Sequence, residues 1–324
     1  MTLENRVEHT TEHTAEHTAK HAAEPTVEHT VEKAAFSGSG TLLSGVPVEL
    51  KLLAAGYCRH PEFFTLRGGS WKAVPFPAGF ALIRHPDHGY ILFDTGYSRR
   101  FVEETRRLPQ LLYRMITPVT FREEDSAVSQ LKRMGIAAEE IGYVVLSHFH
   151  ADHTAGLRDF PHARFIYKRE AYAAVRKLGP LAAVKAGYLS GLLPEDFEAR
   201  SSFMEDAKPY PLPEAFPFAG GYDLFGDGSL VAVDLPGHAA GQTGLLLRTG
   251  HGEYFLCADA VWSSRAFREN RKPHAAARII MANAGEYEDS FRRLVRLHEE
   301  FPQLRIIPSH CGDALRRHGK EDGA

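Results

Sequence analysis

His148-Phe149-His150-Ala151-Asp152-His153 puts four side chains able to bind a metal within six residues. Two histidines two apart in an extended segment point to the same side and can hold one ion. Asp152 and His153 follow where the chain turns, and so can aim at a second ion close by. Imidazole and carboxylate together suit zinc, with manganese, cobalt and iron as alternatives. The run Gly142-Tyr143-Val144-Val145-Leu146 directly before the motif reads as a buried strand. A strand ending in such a cluster fixes the backbone beneath the ligands and leaves an open coordination position at the sheet's rim.

Three further residues stand in the same relation to an apolar run. His238 follows Leu235-Pro236-Gly237, Asp259 follows Phe255-Leu256-Cys257-Ala258, and His310 follows Ile306-Ile307-Pro308-Ser309. One such residue is ordinary. Four strand ends that each deliver metal-capable side chains point to a metal centre.

The elements that must position them can be read from periodicity. Strands are expected at 46–54, 80–84, 90–93, 142–146, 164–167, 230–235, 243–248, 254–258 and 304–307, and helices at 126–134, 168–178 and 286–300. Strands, a helix and a strand, twice over, imply an α/β fold of two packed sheets with helices outside. The stretch 179–228, rich in Pro, Gly and aromatic residues, reads as a lid or a covering subdomain.

Composition bounds the rest. The 324 residues are 44% hydrophobic and 24% charged, enough to bury a large core. No apolar run approaches the ~20 residues of a membrane span, and the N-terminus lacks a secretory apolar core. Three cysteines, Cys58, Cys257 and Cys311, suit a reducing compartment, so a cytoplasmic location is expected. Cys257 and Cys311 flank ligand positions and are expected beside the centre without binding metal. Residues 1–36 form a Glu/His/Thr tail with an imperfect four-residue repeat, expected to be disordered and joined to the catalytic domain at 37–324 through Ser37-Gly38-Ser39-Gly40. As a helix, the tail would stack His9, His13, His17 and His21 on one face able to hold metal weakly. It carries −4 of the net −3, leaving the remainder near +1 and offering no basic groove for nucleic acid.

With these residues in hand, the chain resembles the metallo-β-lactamase superfamily, from about residue 50 to 311. The shared marks are H-x-H-x-D-H at 148–153, a His after Pro-Gly (His238), an Asp at a strand end (Asp259) and a last His (His310). The resemblance implies an αββα sandwich, two mixed sheets face to face with helices outside, and two divalent ions, taken as Zn2+, in a cleft at one edge. By position His148, His150 and His238 would bind the first ion, Asp152, His153 and His310 the second, and Asp259 both. Asp94 of Asp94-Thr95-Gly96 matches an element that supports such a centre from behind; read alone, it is a strand-end turn.

Two ions about 3.5–4 Å apart can share a water, lower its pKa and polarise a carbonyl or phosphoryl oxygen. Asp152 could then pass a proton to the leaving group. Hydrolysis of a small-molecule ester, lactone, thioester, amide or phosphoester follows. Pro236-Gly237-His238-Ala239-Ala240-Gly241-Gln242 is similar to N-acyl-homoserine lactone lactonases, which implies quorum quenching. Those enzymes commonly carry a Tyr three residues after the bridging Asp. Here Trp262 holds that position, expected either to offer its indole N–H, a donor only, to the substrate or to serve equally as a pocket wall. A glyoxalase II-like thioesterase is the alternative, although no basic C-terminal helical segment is expected after His310. A phosphodiesterase would draw on Arg265, Arg268, Arg271 and Lys272, a cluster equally readable as a solvated loop. A non-enzymatic metal-binding role is the outside possibility. Leu111-Leu112-Tyr113 is a candidate interface stretch.

Overall fold

The computed structural model describes residues 41–319. The Glu/His/Thr tail, its stacked histidines and the Ser37–Gly40 joint lie outside those residues. One sheet contains β1 (Glu49–Pro61), β2 (Ala73–His85), β3 (Gly89–Phe93), β4 (Val119–Thr120), β5 (Ile141–Val145), β6 (Arg164–Tyr167) and β7 (Ser201–Phe203). The other contains β8 (Lys208–Tyr210), β9 (Gly221–Asp223), β10 (Leu230–Asp234), β11 (Thr243–Thr249), β12 (Gly252–Ala258) and β13 (Arg305–Pro308). Their orders are β4-β1-β2-β3-β5-β6-β7 and β13-β12-β11-β10-β9-β8. Both are mixed: β3, β5, β6 and β7 run parallel, as do β12 and β13, and the other pairs are antiparallel. The helices are α1 (Glu62–Thr65), α2 (Arg99–Glu104), α3 (Leu111–Ile116), α4 (Ala127–Arg133), α5 (Ala151–Thr154), α6 (Arg169–Val175), α7 (Pro180–Lys185), α8 (Ser264–Arg268), α9 (Ala284–Glu300) and α10 (Gly312–His318).

Alternation along the central strands feeds three apolar layers. Ile91, Phe93 and Val145 meet Leu245, Leu247 and Leu256 between the sheets. Leu92, Val144 and Leu146 face outward against Leu131 of α4 and Ala171 of α6. On the far side Val231, Leu246 and Phe255 lie under Phe291, Leu294 and Leu297 of α9. Both faces of both sheets are therefore covered, which is why the central strands read as continuous apolar runs rather than alternating ones. The architecture is the expected αββα sandwich.

Some boundaries differ from expectation for identifiable reasons. β1 runs on past Gly56, at φ 75°, through an irregularity between Ala54 and Tyr57. β2 starts seven residues before the expected Phe80 and includes Pro75 and Pro77. Those prolines pair only with β1, beyond the reach of β3, so their missing N–H groups leave no neighbour unsatisfied. α4 is capped by the Ser126 side chain and ends before Gly135 at φ 79°, as its sequence indicated. α9 begins two residues early because Asn283 Oδ1 accepts from the N–H groups of Gly285 and Glu286.

The stretch 179–228 differs most. Rather than a cover, most of it belongs to the framework: β7 extends one sheet and β8 and β9 the other. Tyr188, Phe197, Phe216 and Phe218 are buried in the outer layers. Its first part reaches the motif: the Gly187 carbonyl accepts from Ala151 N–H at 2.9 Å, and Tyr188 and Phe197 pack edge-on against Phe149.

Gly237 fixes the loop that carries His238. Its φ is 122°, and a Cβ there would sit 2.0 Å from Tyr287 N at the start of α9. Gly237→Ala is expected to destabilise the fold by at least about 3 kcal/mol, read as a lower denaturant midpoint. An unchanged midpoint would contradict this close packing of loop on helix.

Candidate metal centre

The sheets are stitched together along the edge where the motif sits. Thr243 N–H donates to Ser147 C=O at 3.0 Å, and Gly79 N–H to Ser309 C=O at 3.1 Å. His148 and His150 follow β5, with Asp152 and His153 in the single turn of α5. His238 sits in the loop between β10 and β11. That loop is held by the Gln242 amide on Leu235 C=O and by backbone bonds from Ala282 and Asn283. Asp259 follows β12, whose last residue, Ala258, takes a left-handed φ of 47° beside a register shift. That strained turn redirects the chain and aims the carboxylate inward. His310 follows β13, and its Nδ1–H donates to Pro77 C=O on β2 at 2.7 Å, leaving Nε2 facing the centre.

All seven expected side chains converge. Ligand atoms of His148, His150 and His238 lie within 4.8 Å of one another, as do those of Asp152, His153 and His310, and those of His148, His153 and Asp259. Asp259 is central: Oδ2 is 2.9 Å from His310 Nε2 and 3.3 Å from His238 Nε2, and Oδ1 is 3.5 Å from His153 Nε2. Asp152 Oδ2 is 3.4 Å from His310 Nε2. A divalent ion fits this set on a specific count. His148 Nε2, His153 Nε2 and Asp259 Oδ1 are buried there without a hydrogen-bond partner, which native structures rarely tolerate.

Asp94 stands behind the cluster as expected. Fully buried at φ 60°, a conformation Asp tolerates, it accepts from Ser147 N–H, Ser147 O–H and His153 Nδ1–H at 2.8–2.9 Å. Thr95 grips the His153 carbonyl through both N–H and Oγ1. Gly96 has no room for a Cβ, which would lie 2.5 Å from Ala55 Cβ. The element thus fixes ring and backbone of one ligand together. Ser147 was not singled out in the sequence. Its Oγ lies 2.9 Å from His148 Nδ1, so it orients a second ring from the same carboxylate. Its only signal is a hydroxyl directly before the motif.

Trp262 stands where the pocket-wall reading puts it, with its N–H already engaged. Its N–H donates to Asp259 Oδ2 at 3.2 Å rather than waiting for substrate. The ring stacks on Tyr287 and meets His238 edge-on. One face helps line a cleft of about 410 Å³ with Leu66, Phe76, Pro77 and His310. The Arg/Lys cluster is also largely engaged. Arg265 pairs with Glu62 and Glu269, Arg271 with Glu269, and Lys272 with Glu288. Cys257 packs beneath α9, and Cys311 Sγ accepts from Ser264 N–H; neither joins the metal-capable groups.

Burial holds His148 and His238 well below the usual histidine range, so both are neutral lone-pair donors. Burial also disfavours charge on His153 and His310, but carboxylates outweigh it. Asp94, Asp152 and Asp259 raise His153 well above its ordinary value, and Asp259 and Asp152 push His310 up to about 9. Asp259, disfavoured as an anion by burial, is nonetheless held low by His310 and His153.

A family model described as the metallo-beta-lactamase superfamily matches residues 78–310. An N-acyl homoserine lactonase AttM of Azorhizobium caulinodans is 31% identical over 262 residues, covering 79% of this chain and 89% of that protein. A probable metallo-hydrolase of Mycobacterium tuberculosis is 27% identical over 249 residues, covering 72% and 76%. Among solved structures, an N-acyl homoserine lactone hydrolase with N-hexanoyl-L-homoserine bound at its catalytic metal centre superposes with a TM-score of 0.63 at 20% identity. That match covers 84% of this chain and 97% of the other.

Two outcomes follow. His153 and His310 are protonated at neutral pH in the ion-free centre and must lose those protons to become ligands. Metal uptake should therefore release protons at neutral pH and weaken as pH falls, measurable by titration calorimetry in buffers of different ionisation enthalpy. Uptake without proton release would contradict this charge balance. Asp94→Asn should weaken metal affinity about 10–100-fold in competition with a chelating dye, with the fold retained; unchanged affinity would remove Asp94 from that role.

Proposed function

The chain belongs to the metallo-β-lactamase superfamily and is a metal-dependent hydrolase, and on that premise we propose that it opens the ring of N-acyl-homoserine lactones. In this reading His148, His150 and His238 hold one divalent ion, and Asp152, His153 and His310 a second. Asp259 spans both, and zinc suits this mixture of imidazole and carboxylate. Such a pair, when bound, supplies a nucleophile at neutral pH and Lewis-acid polarisation of the scissile carbonyl.

The chain's own residues do the rest. Asp94 and Ser147 set the rings of His153 and His148, so that Nε2 of each faces inward. The Trp262 N–H orients Asp259. Asp152 is the carboxylate nearer solvent, its side chain 10% exposed against 3% for Asp259. It is placed to carry a proton to the departing ring oxygen. The cleft beside His310 is walled by Leu66, Val74, Phe76, Pro77 and Leu315, which suits an acyl chain.

The observation that carries the reaction class is the meeting of seven metal-capable side chains from four chain segments at one buried point, where His148 Nε2, His153 Nε2 and Asp259 Oδ1 have no hydrogen-bond partner. The lactone is favoured by the 31% identical lactonase and the apolar cleft. Pairing of Arg265, Arg271 and Lys272 with glutamates removes the main support for a phosphodiester.

The test is a hydrolysis panel at neutral pH: acyl-homoserine lactones of several chain lengths, an aryl ester, a glutathione thioester and an aryl phosphodiester. Lactone kcat/KM is expected to exceed thioester and phosphodiester values by at least about 100-fold. Chelation should abolish turnover and divalent metal restore it, whereas Asp259→Asn should not recover with metal. Preferential thioester cleavage would replace the substrate while leaving the centre intact.

A further inference from the structure

An imidazole that holds a divalent ion through one nitrogen needs an acceptor for the N–H on the other. That second bond selects the tautomer and sets the ring. Three of the five histidines at the centre have theirs. His148 Nδ1 lies 2.9 Å from Ser147 Oγ, His153 Nδ1 2.8 Å from Asp94 Oδ2, and His310 Nδ1 2.7 Å from Pro77 C=O. His150 is partly exposed, so water can serve the nitrogen it turns away from the centre. His238 is the exception. Among the described residues its buried Nδ1 has no hydrogen-bond partner. Its Nε2 has two neighbours in the ion-free centre, Asp259 Oδ2 at 3.3 Å and His150 Nδ1 at 3.0 Å. Both favour a proton on Nε2, the tautomer that has no lone pair there for a metal. An acceptor behind Nδ1 is what reverses that preference.

One group in the same loop has the opposite deficit. Gln242 is fully buried, and its Nε2 is committed to Leu235 C=O at 3.0 Å. That bond fixes the amide, since turning it over would set Oε1 against the Leu235 carbonyl. Oε1 is left buried with no donor. Leu235 N–H donates to Gln242 C=O at 2.9 Å, closing the base of the loop 235–242 that carries His238. Ala282 N–H on His238 C=O and Asn283 N–H on Gly237 C=O pin the same loop. A donor lacking an acceptor and an acceptor lacking a donor are thus held in one short, fixed loop.

We propose that Gln242 is the positioning residue of His238, its Oε1 taking the Nδ1–H through one buried water. Neither atom has a partner within hydrogen-bond reach, and a gap between two buried polar groups is what an internal water bridges. The inference rests on His238 being a ligand of the first ion, and adds the residue that makes it one. Gln242 acts through His238 and is not itself a ligand.

The experiment is crystallography of the full chain equilibrated with chelator-buffered zinc, read as anomalous occupancy at each half of the centre. At high resolution the wild type is expected to show a water within hydrogen-bond distance of both His238 Nδ1 and Gln242 Oε1. Gln242→Met should lower zinc affinity among His148, His150 and His238 about 10–100-fold and leave the other ion in place. Gln242→Glu, which keeps an acceptor and gives up the bond to Leu235, should retain the first ion far better than Gln242→Met. Thr243→Val removes a neighbouring hydroxyl that is also buried without a partner, and should change neither ion. The wild-type map decides by itself where a variant does not fold. A different acceptor on His238 Nδ1, a first ion untouched by Gln242→Met, or equal loss of both ions would overturn the proposal and leave the centre standing. A wild type that takes up no zinc in this cluster would remove the reading beneath it.

Discussion

Asp152 and Asp259 are carboxylates removed from water, and among the described residues their ion-pair partners are all histidines. Burying negative charge without compensating positive charge is costly. Without an ion, protons on His153 and His310 supply that charge, which is why both are raised. A divalent ion can replace those protons while also satisfying imidazole lone pairs that otherwise point at nothing. The same carboxylates thus make the centre expensive when bare and selective for cations when filled.

Everything around them holds that arrangement in register. Seven side chains come from four separated stretches of chain, so neither sheet alone can assemble the centre. The inter-sheet hydrogen bonds at Ser147 and Ser309, the close packing of Gly237 on α9 and the strained turn at Ala258 all lie within a few residues of a ligand. Backbone irregularity is concentrated where side chains must be aimed, while regular strands and apolar layers lie behind.

The strand ends were legible because each ligand follows a short apolar run, and burial on both faces makes such runs stand out. The α9 and α4 helices were legible from apolar spacing and capping residues. β1 and β2 were read too short because Gly56, Pro75 and Pro77 normally interrupt strands, and only the pairing partners reveal that they do not. β7, β8 and β9, at three residues each, carry no measurable period, so their segment read as a loop. Contacts that depend on distant chain were invisible: Pro77 under His310, Trp262 on Asp259, and Glu62 beside Arg265, 203 positions apart.

The central claim is that two ions sit where these carboxylates and imidazoles meet. Anomalous diffraction at the metal edge, from crystals of metal-equilibrated protein, tests it by position. The account predicts two peaks about 3.5–4 Å apart, one among His148, His150 and His238 and one among Asp152, His153 and His310, with Asp259 between them. A folded, metal-equilibrated protein with no peak in this cluster, or with one peak only, would contradict it.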